Sequence, residues 1–195
     1  MKQLVIAISL VCGLSAAASA QAPQGRGGGR GPAAPAITTF QGDIQADWTR
    51  TRTLITNIVD AMPEDKFGFK PTPAQQTFGE RVLHVVTTDL GILQALGGKT
   101  PVPMVNTKAA TKAELLAALK QSFDYGEAVI KEFTDQQWVE RVAPPPFMGP
   151  SASRARIIYF DMQHSNDMYG QFVVYLRLNG GTPPASRPRN APPEP

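Results

Sequence analysis

Four stretches of apolar residues spaced three and four apart, each closed by proline or glycine, limit most strongly what this chain can fold into. The first runs from Phe40 to Met62, with Ile44, Trp48, Leu54, Ile55, Ile58 and Val59 on one side and Pro63 as its stop. The second opens at Thr77, where Thr77-Phe-Gly-Glu80 has the spacing of a capping box. Phe78, Val82, Val85, Val86, Ile92, Leu93 and Leu96 carry it to Gly97-Gly98. The third opens at Thr111 with a second capping box to Glu114, followed by Leu115, Leu116, Leu119, Phe123, Val129, Ile130 and Phe133. Thr134-Asp-Gln-Gln137 then starts a short turn toward Trp138, and Pro144-Pro-Pro146 breaks the chain. The fourth begins near Ser151 or Ser153 and holds Ile157, Ile158, Phe160, Phe172, Val173, Tyr175 and Leu176. Asn179-Gly180-Gly181 ends it.

A helix with one apolar face must bury that face against another element, and four such helices form a bundle. The expected fold class is therefore all-α, a four-helix bundle over residues 38–182. Val139-Glu-Arg-Val142 reads as at most a short extended piece, not a sheet. The connection from Gly97 to Asn106 is long enough to carry a crossover, so up-down topology is not assumed. Trp48 and Trp138 read as core anchors, and Glu64-Asp65 as solvated turn residues.

The flanks are of another kind. Residues 1–20 read as a secretory signal: Lys2 supplies the positive start, Leu4 to Leu14 the apolar run, and Ala18-Ser19-Ala20 the cleavage site before Gln21. The run is short for a bilayer span, and Val11 before Cys12 argues against a lipid-modified cysteine. Cys12 is the single cysteine, so the processed chain is expected to hold neither disulfide nor thiolate site and to be exported, periplasmic or extracellular. Residues 21–37 form a Gly-, Pro- and Arg-rich linker, and residues 183–195 an extended Pro-rich tail. The formal charge is +3, but between linker and tail 14 basic residues stand against 15 acidic ones, with no basic run. A nucleic-acid partner is therefore excluded, and no membrane contact is expected after signal cleavage.

The candidate chemistry rests on two histidines far apart in sequence, His84 in the second helical stretch and His164 in the fourth. Imidazole is the commonest protein metal ligand, and bundle sites are built from facing helices. Met168 lies four residues after His164 on the same side, and Asp161 lies three residues before it on a neighbouring face. Asp161 could replace a ligand or orient the imidazole from behind. Asp167 points about 100° away from Met168.

Phe69-Lys-Pro-Thr-Pro73, then Thr77-Phe-Gly-Glu80 and His84, resemble the loop and second helix of the DinB-like superfamily. His164-Ser-Asn-Asp-Met168-Tyr-Gly-Gln171, Tyr175-Leu-Arg-Leu-Asn-Gly180 and Pro183-Pro-Ala-Ser186 are similar to its last helix and tail. The resemblance spans Phe40 to Ser186 and implies a four-helix bundle with a divalent metal, zinc or nickel, on three histidines. His84 and His164 match two of those positions, and the third falls on Met168. With two histidines in the chain, a three-histidine set is excluded.

Three readings stay open. The first is a metal-dependent enzyme, a hydrolase or thiol S-transferase of the kinds the resemblance implies, with His84 and His164 as ligands and Met168 or Asp161 at the third position. The second is a metal-free bundle that binds a small molecule in the same interhelical space, with the site degenerate. The third is an interaction bundle, a homodimer among its forms. No catalytic residue is assigned, and no organic cofactor is implied.

Overall fold

A computed structural model describes residues 39–188. The signal, the linker and the end of the tail lie outside them. Four long helices dominate: α1 (Phe40–Ala61), α2 (Phe78–Gln94), α3 (Lys112–Ile130) and α5 (Arg154–Leu178), with the five-residue α4 (Asp135–Val139) between the last two.

Local chemistry sets where they start. Thr39, Thr77, Thr111, Thr134 and Ser153 each turn a side-chain oxygen onto a free backbone N–H of the first turn. At Thr77, Thr111 and Thr134 the third helical residue returns the bond, completing three capping boxes. α1 stops at Ala61, before Pro63, and α5 stops at Leu178, capped by Asn179, with Gly180 at φ 80°. α3 ends at Ile130, short of Phe133, and Glu132 just beyond it reaches across to the Gly97-to-Thr100 loop. Its carboxylate accepts from the backbone N–H groups of Lys99 (2.5 Å) and Thr100 (2.8 Å) and from the Thr100 hydroxyl (2.6 Å).

The buried stripes follow most of the apolar periodicity: Thr51 is buried in α1 while Leu54 is half-exposed, Leu116 and Val173 are half-buried, and Phe160, expected on the inward side of the last helix, is exposed. Trp48 and Trp138 are fully buried, as expected of anchors. Trp48 joins α1 to α3 by donating from Nε1 to the Phe123 carbonyl at 3.1 Å.

The helices do not follow one another around the bundle in chain order. α1 packs against α3 and α5, and α2 packs against α3 and α5, so α1 and α2 stand diagonally opposite. The crossings therefore lie in the α1–α2 and α3–α5 connections. The Gly97-to-Asn106 connection joins neighbours and carries none. The second connection holds a feature not expected from the sequence: Arg141–Val142 (β1) pairs antiparallel with Ala152–Ser153 (β2). Two residues per strand are too few to leave an alternating pattern. Pro184–Ser186 forms a single 3-10 turn where an extended tail was expected. Among the described residues, no helix is long and apolar enough to cross a membrane.

Candidate functional site

α2 and α5 are packed neighbours, and their contact brings the two histidines together. His84 Nε2 and His164 Nε2 lie 3.1 Å apart, with the rings edge to face at 72°. Both imidazoles are half-buried, and both are held below the usual histidine range. Burial is the main cause for each. The Arg81 guanidinium adds to it at His84; at His164 the neighbouring His84 adds most after burial, and Arg81 also adds. Asp167 opposes the shift at His164.

Met168 is buried one turn beyond His164, on the same side of α5. Arg81 precedes His84 by one turn of α2, and its Nη1 lies 3.6 Å from the Met168 sulfur. Among the described residues, that thioether is the only hydrogen-bonding partner of the Arg81 guanidinium, whose buried Nε has none.

Asp161 does not join the histidines. It is fully enclosed on the inward stripe of α5, and neither carboxylate oxygen has a hydrogen-bonding partner. The enclosed Nδ1 of His164 is likewise unpartnered, so Asp161 does not orient that ring. The group near Asp161 is Asp89 of α2, also fully enclosed, which accepts from Ser165 Oγ at 3.3 Å. Burial pushes both carboxyls well above the usual range, and the charge of Asp89 adds to the effect at Asp161. These two acids sit in the core between α2 and α5.

A cavity of about 570 Å³ opens on the other side of His84, between α2 and the loop before it. Lys70, Gln75 and Gln76 face Glu80, Leu83 and His84 across it. Its wall is pinned to α5, because the Tyr175 hydroxyl donates to the Gln76 carbonyl at 2.7 Å and the Phe69 ring meets Tyr175 edge-on.

A catalytic zinc site takes three protein ligands and keeps one open position. Two nitrogens on one tetrahedral zinc ion lie about 3.3 Å apart, so the histidine spacing suits two of the three ligands. The third does not fit. A thioether is a soft, weak donor, and here a fixed positive charge rests against it. Among the described residues, no group of three or more His, Asp or Glu side chains is placed to hold a metal ion. The residues present therefore do not match a three-ligand divalent centre.

Sequence reasoning missed Arg81 and Asp89. A signal for Asp89 was available: it continues the inward stripe of Val82, Val85 and Val86, where a carboxylate is out of place. Nothing local marks Arg81, whose contact comes from a residue 87 positions away.

The sequence profile of the DinB superfamily matches residues 47–172. Two solved structures are similar in fold. A DinB-like protein from Bacillus cereus superposes with a TM-score of 0.62 at 22% identity, over 75% of this chain and 96% of that one. A DinB-like protein from Bacillus subtilis gives 0.58 at 16% identity, over 72% and 94%. Curated proteins give no match.

Proposed function

Since this chain belongs to the DinB superfamily, we propose that it works as a small-molecule-binding bundle whose metal centre has been replaced by a metal-free polar groove. The observation that carries this reading is the 3.6 Å contact of Arg81 Nη1 with Met168 Sδ. A fixed guanidinium at the third ligand position repels a divalent cation and compensates for the lost imidazole with a charge of its own. The cavity beside His84 supplies the room that a small ligand needs.

A metal-dependent hydrolase or thiol S-transferase is the second reading, favoured by the 3.1 Å separation of the two imidazole nitrogens. Metal analysis after dialysis against zinc or nickel separates the two. The metal-free reading expects no stoichiometric ion in the wild type and uptake once Met168→His is combined with Arg81→Gln. Tight, stoichiometric metal in the wild type, lost in His84→Ala, would overturn it.

We also propose that the chain is exported, supported by Lys2, the Leu4-to-Leu14 run and Ala18-Ser19-Ala20. N-terminal sequencing of protein expressed with its full leader should find Gln21 first; an intact Met1 would reject export by cleavage.

A further inference from the structure

α1 and α5 are packed side by side, and a cavity of about 440 Å³ opens along their seam. It is separate from the imidazole pair: Asn166 lines it from α5, about 200° round the helix from His164. The apolar pattern breaks here. Thr51 takes a buried place on the inward stripe of α1, while Leu54 is half-exposed in the cavity wall. Proteins break their local pattern chiefly at functional sites. Thr51 is 4% exposed, and its hydroxyl has no hydrogen-bonding partner among the described residues. Its neighbours behave otherwise: Thr49 and Thr53 each turn a hydroxyl back onto a carbonyl of α1 at 2.8 Å. The Thr51 oxygen is not enclosed by protein, so it meets the cavity. A buried hydroxyl without a bond is costly unless something in that space receives it.

Two charges flank it in the lining, Asp47 one turn before Thr51 and Arg50 directly before it. Side chains three apart on a helix are near enough to pair. Lys120 with Asp124 and Lys131 with Glu127 close such pairs one turn apart on α3 and at its end. Asp47 and Arg50 do not pair, and neither has another ion-pair or hydrogen-bonding partner among the described residues. Arg52, by contrast, is held by both Asp124 and Glu127.

We propose that the α1–α5 seam binds a free α-amino acid with an apolar side chain, its carboxylate on Arg50 and its ammonium on Asp47 and the Thr51 hydroxyl. The planar fork of a guanidinium matches the two oxygens of a carboxylate, and a carboxylate in turn takes an ammonium. The lining holds one cation and one anion. A zwitterion answers both, whereas a simple anion, a simple amine or a neutral sugar leaves at least one unanswered. Leu54 and Met162 offer apolar wall to the ligand's side chain. The inference does not depend on whether the imidazole pair holds a metal.

The test is calorimetric titration of the full chain with L-leucine and with two analogues that each keep one charge: isopentylamine, which lacks the carboxylate, and isocaproate, which lacks the ammonium. Leucine should bind, and each analogue should bind about tenfold more weakly or worse. In Arg50→Gln leucine should fall to the affinity of isopentylamine, and in Asp47→Asn to that of isocaproate. Asp47 and Arg50 are exposed, so both variants should fold, which circular dichroism checks. Thr51→Val should weaken leucine about fivefold yet melt no lower than the wild type, because the hydroxyl it removes bonds nothing in the protein. A threonine with a merely structural role would show the reverse. Lys108→Gln, outside the seam, should change nothing. Absence of leucine binding by the wild type, equal binding of either analogue, full affinity in Arg50→Gln or Asp47→Asn, or glucose bound in preference to leucine would each overturn the proposal.

Discussion

Adding one methyl group at Gly126 should damage the bundle more than its size suggests. A Cβ built there would come within 2.1 Å, 2.6 Å and 2.9 Å of Trp48 Cζ2, Cε2 and Cη2. Favourable carbon contacts begin at about 3.5 Å. Trp48 has nowhere to go: it is 1% exposed, its Nε1 is bonded to the Phe123 carbonyl, and its ring lies 5.2 Å from that of Phe123. Forced repacking costs about 1–3 kcal/mol, and losing the indole bond about 1 kcal/mol more. Better helix propensity of alanine returns about 1 kcal/mol. The net loss, taken toward the upper end because the overlap is severe, is about 2–3 kcal/mol. At about 2–4 °C per kcal/mol for a chain of this size, Gly126→Ala should melt about 4–12 °C lower. Gly91→Ala is the matched control. It is also mid-helix, but a Cβ there meets nothing within 4 Å, so it should gain about 0.5–1 kcal/mol. Thermal unfolding followed at 222 nm reads both, and tryptophan fluorescence reports the Trp48 environment. If Gly126→Ala melts with or above the wild type, the close packing of α1 on α3 is not as described.

Two further perturbations reach the site itself. Burial holds Asp89 and Asp161 well above the usual carboxylate range, so the folded protein keeps protons that the unfolded chain releases near pH ~3.9. Stability tied to that protonated pair is complete below about pH 4 and is lost as pH climbs through the raised folded-state range. In urea titrations, Asp161→Asn should therefore gain on the wild type steadily from about pH 4 to pH 8; a difference that ignores pH would refute the buried pair. Thr77→Ala removes the cap of the helix that carries Arg81 and His84 and should cost about 1 kcal/mol. Hydrogen exchange at the first α2 amides should quicken, and unchanged exchange would show that Thr77 caps nothing.

The features that depend on neighbouring residues were readable in the sequence. Thr77, Thr111 and Thr134 open helices because the residue three positions on completes the bond, and that spacing is visible in one line of letters. The meeting of His84 with His164, 80 positions apart, was raised by their places on two bundle helices and sharpened by the family resemblance. What escaped depended on which helices are neighbours. The crossover could not be assigned to a connection because periodicity says which face is apolar, not what covers it. Asp161 looked available to the histidines because it lies one turn from His164, but it faces Asp89 in the core. Arg81 drew no reading, because its contact with Met168 exists only once α5 is packed against α2.

Facing each other Nε2 to Nε2, the two imidazoles leave room for one hydrogen between them. One ring must give it and the other receive it. The enclosed Nδ1 of His164 has no partner in either form. Whichever ring gives the shared hydrogen, the other holds its own on Nδ1, so two residues of one kind become a couple of opposite tautomers with a direction. A molecule arriving through the cavity meets one end of that couple, because His84 is the ring in its wall.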